Sequence, residues 1–365
     1  MWPKTALSHL LRIRYPIIQA GMAGGPTTPE LVAAVSNAGG LGTLGAGYLS
    51  PAVIQEGIQR IRRLTDRPFA VNLFIPTEFV MEADSMASMQ NFLHSTSPFG
   101  MDDVQHQQDE QHLGQIIESF ADQFAVILEE RIPVLSFTFG SLSADEIAAC
   151  KERGICMIGT ATTVHEAILL EASGVDAVVA QGSEAGGHRG TFLHDYMHAL
   201  VGTIALVPQI ADCVHIPVIA SGGIMDARGI VASLALGASG VQLGTAFLVS
   251  RESGAHRAYK TQVMQCKEDQ TVITTAFSGK AARGIENVFI RQMQQYAGRI
   301  PPYPVQNALT RPLRTQARIA SNSNYMSLWA GQAASLAQDL PAEEIVAQLV
   351  RGVEQSIQQL KGDNP

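Results

Sequence analysis

The sequence predicts a closed (β/α)8 barrel, the TIM-barrel architecture, and three observations predict it. Eight short apolar runs are continuous rather than alternating, as in strands covered on both faces. Stretches of helical period lie between most of them. A unit also recurs in which a helical stretch ends, a Gly follows and an apolar run begins; Gly suits the left-handed position just past a helix. Eight strands in βα repeats favour a closed barrel, although an open doubly wound sheet satisfies the same pattern.

Taken in order, the first strand is expected at Ile17–Ala20, and a helix over Thr28–Asn37. Thr27 or Thr28 stands before Pro29, an N-cap before Pro at the first helical position. Asn37-Ala38-Gly39-Gly40 leads into a second strand, Leu41–Leu44. Ser50 before Pro51 opens a helix over Pro51–Leu64, and Ala70–Leu73 is the third strand. Residues 76–130 exceed what a barrel needs. They contain the polar run Gln105–His112 and read as an insertion, mostly helical near Leu113–Arg131. Strand Val134–Thr138 is followed by a helix over Ala144–Arg153, then Gly154 and strand Cys156–Thr160. A helix over Val164–Ser173, then Gly174, leads to strand Ala177–Ala180. A helix over Met197–Cys213 precedes strand Val218–Ala220; a helix over Ala227–Leu236 and then Ser239-Gly240 precede strand Val241–Leu243. Residues 250–365 read as mainly helical, with a Pro-rich turn at Ile300–Pro304. The expected division is a barrel over 10–250 carrying the 76–130 insertion, a helical cap segment over 251–350, and a C-terminal tail over 351–365 that frays after Leu360.

Composition narrows the function classes. With 46% apolar and 16% charged residues, the chain has ample material for a core and is not disordered. Its net charge of −8 and the lack of any Lys/Arg run longer than Arg62-Arg63 leave no nucleic-acid footprint. No apolar stretch approaches the roughly 18 residues of a membrane span. The N-terminal apolar stretch is broken by Arg12 and Arg14, so no signal peptide is expected. Cys150, Cys156, Cys213 and Cys266 lack zinc-ligand spacing and read as reduced core thiols of a cytoplasmic protein.

In a barrel, chemistry sits at the C-terminal ends of the strands. The segments there are Gly-rich: Gly21-Met22-Ala23-Gly24-Gly25, Gly45-Ala46-Gly47, Gln181 to Gly190, Ser221-Gly222-Gly223-Ile224 and Gly244-Thr245-Ala246-Phe247. Gly222-Gly223 and Gly244-Thr245 follow the last two strands, where barrels often bind phosphate on bare backbone amides. A cofactor phosphate is the economical reading. No Gly-x-Gly-x-x-Gly opens an early helix, and no Walker lysine follows a Gly-rich loop. The dense Gly loops leave room for a large flat ring over the barrel mouth. His188, between Gly187 and Gly190, is the candidate catalytic group. His194 and His198 have a helical i, i+4 spacing compatible with a metal, but no third ligand motif is near and no metal is expected.

These loops resemble those of the nitronate monooxygenases, FMN-dependent barrels formerly grouped as 2-nitropropane dioxygenases. The matching stretches are Pro16 to Gly24, Val71-Asn72-Leu73-Phe74, Gln181 to Gly190, Pro217 to Ile224, and Ala235 through Phe247. Phe277-Ser278-Gly279-Lys280-Ala281-Ala282-Arg283-Gly284 and Ser327-Leu328-Trp329-Ala330-Gly331-Gln332 also match. The Leu-Trp-Ala-Gly-Gln block, and Arg189 directly after the His, favour class I of the family. Residues 76–112 depart from the pattern and are expected at the substrate mouth.

The resemblance implies a set of roles. Ala20, Gly21 and Met22 would pass their backbone beside the flavin ring, and Asn72 and Gln181 would hydrogen-bond its polar edge. Gly182, Gly187, Gly222, Gly223, Gln242, Gly244 and Thr245 would hold the ribityl chain and phosphate. Trp329, Gly331 and Gln332 would close over the cofactor, and His188 would face the substrate as a base on a neutral nitroalkane or as a donor to a nitronate. Arg189, Lys280 and Arg283 each stand as candidates to offset anion charge. The implied activity is oxidation of alkyl nitronates, such as propionate 3-nitronate, by O2 to a carbonyl compound and nitrite through a flavin semiquinone, in a homodimer with no nucleic-acid or membrane partner. The alternatives are an FMN-dependent enoyl-acyl-carrier-protein reductase using NAD(P)H, which shares the fold and the Glu-Ala-Gly-Gly-His block but needs a basic docking patch, and a non-catalytic flavin-binding protein.

Overall fold

The computed structural model describes residues 2–99 and 119–362. Its main sheet contains β1 (Ile17–Gln19), β2 (Gly42–Gly45), β3 (Phe69–Phe74), β4 (Val134–Thr138), β5 (Cys156–Ala161) and β6 (Ala177–Gln181). Past the two-residue β7 (Gly187–His188), which belongs to another sheet, β8 (Val218–Ser221) and β9 (Gly240–Leu243) complete it. All its pairings are parallel, and β9 returns to β1 with Ile17 opposite Val241. The last seam, between β1 and β2, is held where Gln19 N–H donates to Leu41 O and Leu41 N–H to Ile17 O, both at 2.9 Å. The sheet therefore closes, and the open-sheet alternative is set aside. Each predicted apolar run forms one of its strands.

Local chemistry explains the helices between them. Thr28, not Thr27, caps Pro29–Asn37, its hydroxyl accepting from Leu31 N–H at 3.1 Å. Thr27 instead donates to Met22 O and accepts from Gly45 N–H, tying the loops after β1 and β2 together. Gly39, Gly154 and Gly174 take positive φ after their helices, as the recurring unit requires. After Ala227–Ala235 that position is Gly237 rather than Gly240. Gly240 begins β9 and is small for another reason: a Cβ there would lie 2.4 Å from Leu7 Cδ2.

Three expectations are corrected. The helix expected over Met197–Cys213 is a 3-10 turn at Tyr196–Ala199 and a helix at Thr203–Ala211. The break at Gly202 lets Thr203 N–H reach the Glu184 carboxylate at 2.9 Å. The C-terminal tail drawn from 351 falls inside a continuous helix, Ala342–Leu360, whose apolar stripe of Ile345, Val346, Leu349 and Val353 joins the barrel core. The mainly helical segment after 250 also holds a β-hairpin, β10 (Thr271–Thr274) and β11 (Ala282–Ile285), which captures β7 in a three-stranded antiparallel sheet. Of the thiols, Cys150 and Cys266 are buried, Cys156 is half-buried, and Cys213 is exposed rather than in the core.

The core has three parts. Inside the barrel, Ile18, Leu41, Ala70, Val134, Ile158, Val179 and Ile219 pack together, and Leu7 and Leu11 of the Ala6–Leu11 helix join them and stop the N-terminal end. Outside the barrel, helix faces and strands form the largest cluster. A separate cluster unites Met89 and Leu93 of the Ala83–Thr96 helix, within the insertion, with Phe277, Phe289 and Leu313 of the C-terminal segment. The predicted helix near Leu113–Arg131 appears as Ser119–Glu129, and its start lies outside the described residues. No helix among the described residues is long and apolar enough to cross a membrane.

The tightest contact between a strand and its covering helix is at Gly42, where a Cβ would fall 2.1 Å from the carbonyl O of Val32 and 2.6 Å from its Cα. Both are backbone atoms that cannot rotate away. Gly42→Ala is expected to lower stability by about 2–3 kcal/mol through overpacking, read by urea denaturation; an unchanged midpoint would show that the Pro29–Asn37 helix can shift outward freely.

Candidate active site

The C-terminal end of the barrel opens into a cavity of about 1010 Å³. That is the size of a site for a cofactor with substrate. Most residues singled out from the sequence line it: Ala20, Gly21, Met22, Asn72, Gln181, Gly187, His188, Gly222, Gly223, Gln242, Gly244, Thr245, Trp329 and Gly331. Gly182 and Gln332 do not. A Cβ at Gly182 would lie 2.0 Å from Thr203 Oγ1, so its smallness serves the packing beneath the loop. Gln332 is exposed, and its N–H donates to Glu184 O at 3.0 Å.

The loop that follows β6 is held from below by buried ions. Arg189 is fully buried; its Nη1 donates to Gly182 O at 2.6 Å, and its Nη2 to Gln181 O at 2.8 Å and Ala199 O at 3.1 Å. Burial, and then the nearby Arg283, pull its pKa down to about 10, so it remains charged at neutral pH. Glu166, also fully buried, accepts from the N–H groups of Thr162, Phe192 and Leu193 and the hydroxyls of Thr162 and Thr191. Gln181 uses its amide in the same way, donating to His188 O at 3.1 Å and accepting from Gly190 N–H at 2.8 Å. Arg283 donates to Ser183 O and Thr271 O. Arg189 and Arg283 are therefore braces for carbonyl groups. Of the three cations considered from the sequence, Lys280 is the one whose charge stands beside Phe139 and His188 rather than under the loop.

His188 owes its place to the β7–β11 pairing, which sets it opposite Ala282. Its Nε2 lies 2.8 Å from Ser278 Oγ. That hydroxyl donates to Lys280 O at 3.0 Å and accepts from Lys280 N–H at 3.3 Å. With its single proton directed to a carbonyl, Ser278 accepts from His188, which assigns the Nε2–H tautomer and leaves Nδ1 with a lone pair. Around the imidazole stand Trp329 at 5.4 Å, Phe139 at 5.9 Å and Tyr303 at 6.1 Å between ring centroids. Lys280 Nζ lies 4.5 Å from the Phe139 centroid. Burial, and then the charges of Lys280 and Arg314, push His188 from 6.5 down to about 3.

Sequence reasoning passed over several members of this site. Phe139, at the end of β4, takes φ of 81°, a conformation rare for a non-Gly residue and one that recurs at functional sites. Tyr48 and Tyr303 share a hydrogen bond between their hydroxyls. Tyr259 donates to Trp329 O and fixes the C-terminal strap. Gly331 N–H donates to Thr245 Oγ1 at 3.0 Å, locking that strap to the loop after β9. Asp122, in the insertion, lines the cavity; residues 76–99 do not, and 100–112 of the expected mouth lie outside the described residues. His198 lies in the 3-10 turn and His194 precedes it, so the two do not belong to one helix.

Comparison with known proteins agrees with this architecture. A family model described as nitronate monooxygenase matches residues 4–352. A "probable nitronate monooxygenase" of Staphylococcus saprophyticus is 47% identical over 350 residues, covering 95% of this chain and 97% of the relative. Among solved structures, nitroalkane oxidase from Streptomyces ansochromogenes superposes with a TM-score of 0.86 at 38% identity, covering 98% of this chain and all of the other. FabK from Thermotoga maritima gives 0.75 at 31%, covering 99% of each chain.

The lowered pKa of His188 has a consequence for stability. Between its ordinary 6.5 and the folded value of about 3, the unfolded chain binds the proton and the folded chain does not. The contribution of neutral His188 is thus complete above about 6.5 and is lost progressively as pH falls toward 3. Denaturation midpoints across this window are expected to fall more steeply in the wild type than in His188→Asn; parallel slopes would place the imidazole in solvent.

Proposed function

The chain belongs to the nitronate monooxygenase family and is a flavin-dependent oxidoreductase acting on a small molecule; from that premise we propose an FMN enzyme that oxidises alkyl nitronates such as propionate 3-nitronate with O2, yielding a carbonyl compound and nitrite. The observation that carries this reading is an uncharged histidine, its tautomer fixed by Ser278, beside a half-buried lysine at the cavity end of a flavin-family barrel. The carrier-protein reductase alternative is not better supported, since the family matching residues 4–352 is the nitronate monooxygenases.

The residues fit FMN. Gly222 and Gly223 hold φ of 120° and 70°, where a side chain would be strained. Among the described residues, the N–H groups of Gly223 and Thr245 donate to no protein acceptor, as an anion cradle requires. A Cβ on Gly187 would meet nothing within 4 Å. In this reading Gly222, Gly223, Gly244 and Thr245 hold the phosphate, and Gly187 and Gln242 the ribityl chain. The backbone of Ala20, Gly21 and Met22 lies along the ring. Asn72 keeps its Oδ1 for the polar edge after donating to Ser136 at 2.9 Å, and Gln181 keeps one amide hydrogen. Trp329 and Gly331 close the site. The flavin supplies electron acceptance and the reaction with oxygen.

The protein's own residues supply charge and proton control. Lys280, kept partly dry and with its pKa lowered by burial, offers a positive field to a nitronate. Nδ1 of His188 bears the lone pair that would take a proton from the carbon of a neutral nitroalkane, and the negative charge developing on the nitro group beside Lys280 offsets the cations that hold the imidazole's basicity down. The nitronate, already ionised, needs no such step. Phe139, Tyr303 and Trp329 shield the reacting carbon from water.

His188→Asn is therefore expected to lower kcat/KM for a neutral nitroalkane by about 10²–10⁴-fold and that for the matching nitronate far less, both read by oxygen uptake. Equal losses on the two substrates would overturn the base assignment. Absence of nitronate-driven uptake by the wild type, with NADH oxidation on an enoyl thioester instead, would overturn the function.

A further inference from the structure

The Arg311–Ile319 helix carries Arg311, Arg314 and Arg318 at i, i+3 and i+7, and all three line the cavity that contains His188. Spacings of three and four residues place them on one helix face. Local physics opposes this arrangement. Like charges at those spacings repel, and Arg311, at the first helical position, stands at the positive end of the helix dipole. The helix has no acidic residue in its first turn, and none of the three arginines enters an ion pair among the described residues. Elsewhere Arg60, Arg228, Arg299 and Arg351 each reach a carboxylate. Asp122 is the one carboxylate among the described lining residues. A row of unpaired cations facing a cavity, in a chain of net charge −8, breaks a local rule without local compensation, which is how binding sites depart from folding preference.

The row has an inner member between two outer ones. Arg314 is anchored, its Nη2 donating to Asn307 O at 2.6 Å and Oδ1 at 3.0 Å and its Nε to Thr310 Oγ1 at 3.2 Å. Its charge is felt at His188, and Arg311 is felt at Arg314. Arg311 and Arg318 are exposed, on the solvent side of the same cavity.

We propose that Arg311 and Arg318, backed by Arg314, are a specificity site for a second anionic group on the substrate: a carboxylate at the far end of the nitronate's carbon chain. The inference rests on the nitronate reading of the site. A guanidinium presents paired N–H donors that match a carboxylate, so a dianion gains charge-assisted hydrogen bonds that a simple alkyl nitronate does not.

The test uses the FMN-loaded full chain and two nitronates of equal carbon count. Propionate 3-nitronate carries the carboxylate; propyl-1-nitronate has a methyl group in its place. Oxygen uptake is measured for the wild type, Arg311→Gln, Arg318→Gln and the double variant, with thermal midpoint and flavin content checked for each. The double variant is expected to lose about 10–100-fold more kcat/KM on propionate 3-nitronate than on propyl-1-nitronate, mostly through KM, the fold-change of one lost charge-assisted contact. Arg311→Lys, which keeps the charge and loses the fork, is expected to fall between. Equal losses on both substrates, or a wild-type preference that survives the double substitution, would overturn the specificity site while leaving the nitronate reading intact. No uptake with either nitronate in the wild type overturns both, and would turn attention to the same arginines as a dock for an acidic carrier protein.

Discussion

Two residues of backbone, Gly187 and His188, decide where the proposed base of this molecule sits. They leave the barrel after β6 and pair with Ala282 and Arg283, nearly a hundred positions later in the chain. Without that pairing the imidazole would ride on a Gly-flanked loop with no fixed direction. With it, Ser278 and Lys280, on the turn between β10 and β11, arrive on the same side of the ring. The remaining supports converge on these few hydrogen bonds. Gln181 holds the His188 carbonyl, Arg189 N–H bonds Ala281 O at 2.8 Å, and the Trp329 strap bridges Gly284 on the edge of β11 that β7 also uses. The barrel supplies a rigid rim, and the C-terminal segment supplies the wall that completes it.

The electrostatics of the site follow from that closure. A buried guanidinium and a buried carboxylate lie beneath the loop, held by backbone groups and, for the carboxylate, by threonine hydroxyls rather than by direct contact with each other, while Arg189 Nε has no partner among the described residues. Glu166 is felt at both Arg189 and Lys280, so the ions balance at a distance. Such burial is unfavourable for each ion taken alone, and it is tolerated because every carbonyl and N–H in a tight, Gly-rich loop needs a partner that the sheet does not provide. The imidazole above them stays neutral because it is poorly solvated and, after that, because two cations bear on it. Its neutrality is thus a property of the assembly, not of the loop sequence.

Much of the fold was legible in the sequence because barrel strands are covered on both faces and show as unbroken apolar runs. The Gly after four of the helices marked strand starts, and the Gly-rich strand ends marked the cavity. The pieces that were not legible share a physical cause. β7 is two residues long and has no period to read, and the hairpin that receives it lies in a segment whose helical stretches dominate the pattern. Arg189 beside a catalytic histidine suggests a substrate contact; only the positions of Gly182 O, Gln181 O and Ala199 O reveal a brace. Gly182 looked like a cradle residue and is instead small because Thr203 lies against it. Tyr48 and Phe139 carry no local motif of their own, Ser278 sits in a matching stretch that gives it no role, and the roles of all three exist only once segments far apart in sequence are side by side. The arginine row was in plain view at three- and four-residue spacing, but a helix with charged residues reads as a solvated face until a cavity is seen beside it.

The Ala342–Leu360 helix lies against both Pro29–Asn37 and Ala227–Ala235, with Gly352 allowing close approach to Ala227. Those two helices flank the first and last strands, so the final helix of the chain covers the join of the barrel. If that helix lifts, the apolar strip beneath it meets water where the first and last strands meet, so a local loosening there is felt as a weakened seam of the whole barrel.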